Sequence, residues 1–123
     1  MVQKQTLLKI ADNSGAKTVK CIQNLSSKRK AGKIGDIFVI SVQKTRDNQK
    51  ILKLKKKDIF KGVILRTKSF FRKKNGFNIK FEANSMALFD KQNNPLGSRV
   101  VGFLPKELKK KFNKFVNFSQ YLL

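Results

Sequence analysis

Histidine and tryptophan are absent from the chain, and cysteine and carboxylates are scarce. Losing histidine removes the commonest general acid–base and the commonest metal-ligating side chain. The one cysteine, Cys21, excludes an internal disulfide and a cysteine-based zinc cage. It sits in an apolar alternation, so it reads as a small core residue rather than a reactive thiol. The seven acidic residues are Asp12, Asp36, Asp47, Asp58, Glu82, Asp90 and Glu107, scattered singly. Asp12 and Asp36 adjoin glycine turns and Glu107 adjoins a helix start, places where carboxylates serve structure. No glycine fingerprint for nucleotides is present. No apolar run approaches the roughly 20 residues of a membrane helix. The start, Met1 to Leu7, carries neither a signal-peptide apolar block nor an arginine-rich presequence. The chain is therefore expected to be made where it works or to have been processed. Neither an enzyme, a cofactor, a metal site nor a membrane span is expected.

What is present is positive charge. Twenty-nine lysines and arginines against seven acids give a formal charge of +22 on 123 residues. A compact domain with that field repels itself and calls for a polyanion. Nucleic acid is the commonest one, and phosphate binding gains affinity by releasing condensed counterions. The chain is not a disordered basic tail, because 40% of it is hydrophobic and it holds 11 phenylalanines. Its length fits one domain, residues 1–123, with a real core. Only Arg29, Arg46, Arg66, Arg72 and Arg99 are arginine; the other basic residues are lysine. Lysine supplies point charges for backbone phosphates, whereas arginine reads base edges better. The excess of lysine thus favours recognition of shape and backbone. Abundant lysine, asparagine, phenylalanine and isoleucine share AT-rich codons, which suits an organelle-encoded protein.

Turn signals divide the chain into short strands. Thr6–Ile10, Thr18–Gln23, Ile37–Val42, Ile59–Thr67, Ser85–Phe89 and Arg99–Phe103 read as strands. Ser26–Lys33 is a basic loop, and Lys44–Lys57 is a basic protruding hairpin or loop interrupted by Ile51, Leu52 and Leu54. Ser69–Phe81 is a hairpin, with Asn75-Gly76 as a tight turn needing positive φ at both residues. Pro105 opens a helix over about 105–116, where Leu108, Phe112, Phe115 and Val116 keep helical spacing. The tail, Asn117 to Leu123, has no clear period. The fold class is mainly β, a small closed barrel with a short C-terminal helical part.

The basic residues gather in or beside turns, where a scaffold presents them. Lys28, Arg29, Lys30 and Lys33 form one group; Lys44, Arg46, Lys53, Lys55, Lys56 and Lys57 form another. Arg72, Lys73 and Lys74 form a third. All are candidates for phosphate contact rather than a merely solvated surface. Alternation assigns Phe38, Phe60, Phe77, Phe81 and Phe89 to the core. Phe70 and Phe71 are neighbours beside Arg72, so one of them faces outward and is a candidate for stacking on a base.

Four blocks in order carry a family resemblance over essentially the whole chain. They are Gln5–Lys17 (QTLLKIADNSGAK), Gly35-Asp36-Ile37, Gly62–Lys68 (GVILRTK) followed by Asn75-Gly76, Phe81 and Asn84, and Pro95–Gly102 (PLGSRVVG) followed by Glu107-Leu108. Together they resemble the large-subunit ribosomal protein fourteen family. Ala87, Phe103-Leu104 and the phenylalanine-rich tail after Lys114 depart from its usual pattern. The resemblance implies a five-stranded barrel with a protruding basic β-ribbon. It implies a structural constituent of the large ribosomal subunit that binds its rRNA near the intersubunit face. Implied partners are neighbouring large-subunit proteins, small-subunit rRNA and a ribosome-silencing factor. Ser98 and Arg99 would belong to the intersubunit and factor-docking surface; Arg66, Lys68 and Arg72-Lys73-Lys74 would face RNA. A free-standing barrel-type nucleic-acid module is the alternative. A mitochondrial ribosome is the expected location, with a plastid or an AT-rich bacterial cytoplasm as alternatives.

Overall fold

The computed structural model of the chain describes residues 2–46 and 54–123. Five strands close a barrel in the order β1 (Leu7–Ile10), β2 (Ala16–Asn24), β3 (Ile37–Thr45), β4 (Ile59–Arg66) and β7 (Ser85–Phe89). Neighbours are antiparallel except at the closing seam, where Lys9 lies opposite Ser85 and Ile10 opposite Met86 in a parallel pair. Two small sheets stand outside the barrel: β5 (Phe71–Arg72) with β6 (Asn78–Ile79), and β8 (Val100–Leu104) parallel to β9 (Ser119–Leu122).

Side-chain alternation builds two cores that share strand walls. Leu8, Val19, Cys21, Phe38, Ile40, Val42, Ile64, Met86 and Leu88 fill the barrel. On the outer face of β4 and β7, Val63, Leu65, Ala87 and Phe89 pack against Leu104, Leu108, Phe115 and Val116. This explains why β7 is buried at every position and runs apolar from Met86 to Phe89. Burial pushes the Cys21 thiol up to about 12, so it stays protonated and inert.

The expected helix is broken. Lys106–Lys110 form a 3-10 turn, and α1 spans only Asn113–Asn117. Continuous α-helix would stack Lys106, Lys110 and Lys114 at four-residue spacing, where like charges repel. The break keeps the apolar contacts: Phe115 meets the Phe89 ring edge-on at 5.1 Å, and Phe112 lies 6.0 Å from it. The tail then joins β8 as a strand.

The hairpin turn also differs from its expected type. Among Asn75 and Gly76 only the glycine has positive φ. Lys73 N–H donates to the Phe77 carbonyl (2.8 Å), and Gly76 N–H donates to the Lys73 carbonyl (3.1 Å). That is a three-residue connection with glycine in its left-handed position. Phe77, expected in the core, is 71% exposed. It lies in the turn ahead of β6, outside the barrel sheet, so alternation gives it a face without a core beneath.

Candidate nucleic-acid interface

Antiparallel connectivity sends successive loops to opposite ends of the barrel. The β2–β3 loop and the β5–β6 hairpin leave from one end, since Asn24 pairs with Phe38 and Arg66 pairs with Ser85. Phe71 at the hairpin base shares a small groove with Ile34, Gly35 and Asp36 of that loop. This end gathers Lys28, Arg29, Lys30, Lys33, Lys68, Arg72 and Lys74, all exposed, with Lys73 half-buried. The Asp36 carboxylate accepts from Lys33 N–H (2.9 Å) and fixes the loop, the structural role expected of it. Beside the loop lies a groove of about 510 Å³ whose lining includes Lys4, Gln23, Lys28, Arg29 and Lys30.

The other end carries Lys44, Arg46, Lys55, Lys56 and Lys57, also exposed. Lys53, Ile51 and Leu52 lie outside the described residues. Leu54 is buried in the barrel core and anchors the returning arm. The Asp58 carboxylate accepts from Lys55 N–H (2.9 Å), and Lys57 N–H donates to the Val42 carbonyl (2.7 Å). The three lysines thus sit on a closed turn rather than on free chain.

Ser98 and Arg99 belong to this second end through Asn13. Asn13 Oδ1 accepts from the N–H groups of Ser98 (2.7 Å) and Arg99 (3.1 Å), and its Nδ2 donates to Ser98 Oγ (2.8 Å). A side chain at Gly97 would place its Cβ 2.7 Å from Asn13 Oδ1 and 3.0 Å from Asp12 Cβ, so only glycine permits this approach. Beneath lies Asp12, fully buried. Its Oδ2 accepts from Leu88 N–H (2.9 Å), while Oδ1 accepts from Ser14 N–H (3.0 Å) and from the Ser14 hydroxyl. Burial raises the Asp12 carboxyl above its ordinary range; the bonds from Ser14 and Leu88, and the Arg46 charge, pull it back only in part.

Arg66 is the exception among the candidates. Its Nε donates to the Phe103 carbonyl (2.9 Å) and its Nη2 to the Val101 carbonyl, tying β4 to β8. Burial lowers its pKa. Two of its five N–H donors are thus held by the fold.

Sequence reasoning missed an apolar surface next to Arg99. Val101, Phe103 and Tyr121 are exposed on the β8–β9 sheet, with the Phe103 and Tyr121 rings 5.2 Å apart. The one signal pointing to it was the departure at Phe103-Leu104 and in the tail. Among the described residues no cluster of histidine, cysteine and carboxylate side chains is able to hold a metal ion. No helix among them is long and apolar enough to cross a membrane.

The arrangement is therefore a rigid β scaffold with cationic loops at both ends. A family model described as ribosomal protein L14p/L23e matches residues 1–123. The chain belongs to that family. Members of the L14p/L23e family are structural constituents of the large ribosomal subunit, and the barrel described above supplies the scaffold for that role.

Proposed function

We propose that this L14p/L23e protein binds large-subunit rRNA through both cationic ends at once. The observation that carries this reading is the placement of the exposed lysines on closed turns. Lys28, Arg29, Lys30, Lys33, Lys68 and Arg72-Lys73-Lys74 hold one stretch of phosphate backbone. Lys44, Arg46, Lys53 and Lys55-Lys56-Lys57 hold another. Ordering loops on binding costs about 1–2 kcal/mol per residue in backbone entropy. Turns already fixed by Asp36 and Asp58 avoid much of that cost. The mechanism is electrostatic and geometric, without chemical turnover.

Ser98 and Arg99 form the intersubunit and factor-docking edge. The Asn13 clamp supports this assignment by holding the turn rigid and leaving both side chains exposed. There they meet small-subunit rRNA, or a ribosome-silencing factor on the idle subunit. The neighbouring Val101, Phe103 and Tyr121 surface suits a protein neighbour within the large subunit. The AT-rich residue usage favours a mitochondrial ribosome over a plastid or bacterial one.

Sedimentation tests the reading against a free-standing nucleic-acid module. Tagged protein expressed in its own compartment is expected to migrate with large-subunit particles at low magnesium, when subunits separate. Protein remaining at the top of the gradient overturns the ribosomal assignment.

A further inference from the structure

We propose that the β5–β6 hairpin engages unpaired ribonucleotides, with one base stacked on the ring of Phe70. The proposal rests on the rRNA-binding reading and specifies which kind of RNA that hairpin takes. The pairing of Phe71 with Ile79 and Arg72 with Asn78 fixes the two faces of the hairpin. One face carries Phe71 and Ile79, both half-buried, with Phe71 beside Leu108 and Phe112 of the C-terminal segment. The other carries Phe70, Arg72, Asn78 and Lys80, all exposed.

On that outer face the phenyl ring stands clear of both cores. Phe70 is 72% exposed, and the Lys80 ammonium lies 5.5 Å from its ring centroid. Phe71 already supplies the apolar contact that seats the hairpin base. An exposed phenylalanine at the base of a hairpin, flanked by Arg72 and Lys80, offers a π-face between two phosphate-binding charges. The Asn78 amide beside it presents both a donor and an acceptor for a base edge. Paired A-form RNA offers such a site only phosphates, because its bases are stacked within the helix and its major groove is too narrow to enter. An unpaired stretch offers phosphates and a free base face together. The surrounding charge, Lys68, Arg72, Lys73, Lys74 and Lys80, disfavours an apolar protein surface as the occupant.

The test compares two RNA hairpins of equal length, one with a five-nucleotide internal loop and one fully paired, using the full chain and fluorescence anisotropy. Base stacking on an aromatic ring corresponds to roughly a ten-fold gain or more. Wild-type protein is expected to favour the looped RNA by about ten-fold. The Phe70→Leu variant should lose that preference while keeping its melting temperature and its salt slope. Phe70→Tyr should restore it, and ultraviolet crosslinking to the looped RNA should map to residue 70. Salt-dependent binding of both RNAs with no preference, or a Phe70→Leu variant that keeps the preference, overturns the stacking and leaves the RNA reading standing. Absence of salt-dependent binding to either RNA overturns both.

Discussion

Reversing Arg72, Lys73 and Lys74 to glutamate together is expected to weaken binding to large-subunit rRNA by about 100-fold or more at moderate salt. Stability should move by less than about 1 kcal/mol, because surface changes away from packed features are usually small. The hairpin tip explains the asymmetry. Arg72 and Lys74 are exposed, and the tip is held by backbone bonds between Lys73, Gly76 and Phe77 that substitution leaves intact. The variant also removes six units from a formal charge of +22, which relieves self-repulsion in the free protein. The slope of log affinity against log salt should become shallower by about one for every phosphate that is no longer neutralised. Unfolding by denaturant and RNA binding can be measured on the same preparation. Equal losses in both would contradict the separation of scaffold and contact surface.

Replacing Asp12 by alanine should cost about 2–4 kcal/mol of stability, because the N–H groups of Leu88 and Ser14 lose their acceptor. Denaturant unfolding at neutral pH checks the magnitude. Asp12→Asn should fall between wild type and Asp12→Ala. An amide oxygen can replace one carboxylate oxygen, but the amide N–H₂ cannot accept the bonds made to the other. The effect has a defined pH dependence. The folded-state pKa of Asp12 lies above the ordinary carboxylate value, chiefly through burial. The folded protein therefore holds this proton more tightly than the unfolded chain does. The contribution of Asp12 to stability is greatest below the unfolded value near 3.8 and is lost as pH rises through the raised folded value. The difference between wild type and Asp12→Ala should accordingly widen as pH falls from 7 toward 4, while the other carboxylates cancel in the comparison. A difference that narrows on acidification would show a lowered pKa. The same variant should loosen the Ser98–Arg99 turn, since Asp12 fixes the backbone from which Asn13 reaches.

The barrel was legible because its strands obey local rules. Val19 and Cys21, then Phe38, Ile40 and Val42, alternate with outward residues, and turn residues bound each strand. The expected strand ends mostly fall within a residue or two of those observed. Turn signals for Asp12 and Asp36 were equally local, and both carboxylates do bond nearby backbone N–H groups. What sequence could not convey was tertiary context. Alternation put Phe77 with Ile79 and Phe81, yet whether a face finds a partner depends on where the hairpin projects. Apolar spacing at Leu108, Phe112 and Phe115 gave the right inward-facing residues but not the break between them. The structural bonds of Arg66 were equally hidden, because its two carbonyl acceptors, on Val101 and Phe103, lie more than thirty residues away in sequence. The exposed β8–β9 surface depends on the tail folding back as a parallel strand, which no local period announces.

Titration of large-subunit rRNA with the purified protein across a range of monovalent salt tests the central claim most directly. That claim is that cations fixed on closed turns are matched by RNA phosphates. The account predicts a steep linear fall of log affinity with log salt, with a slope of about −5 or steeper, as several simultaneous phosphate contacts require. A slope near zero over the same range would contradict it.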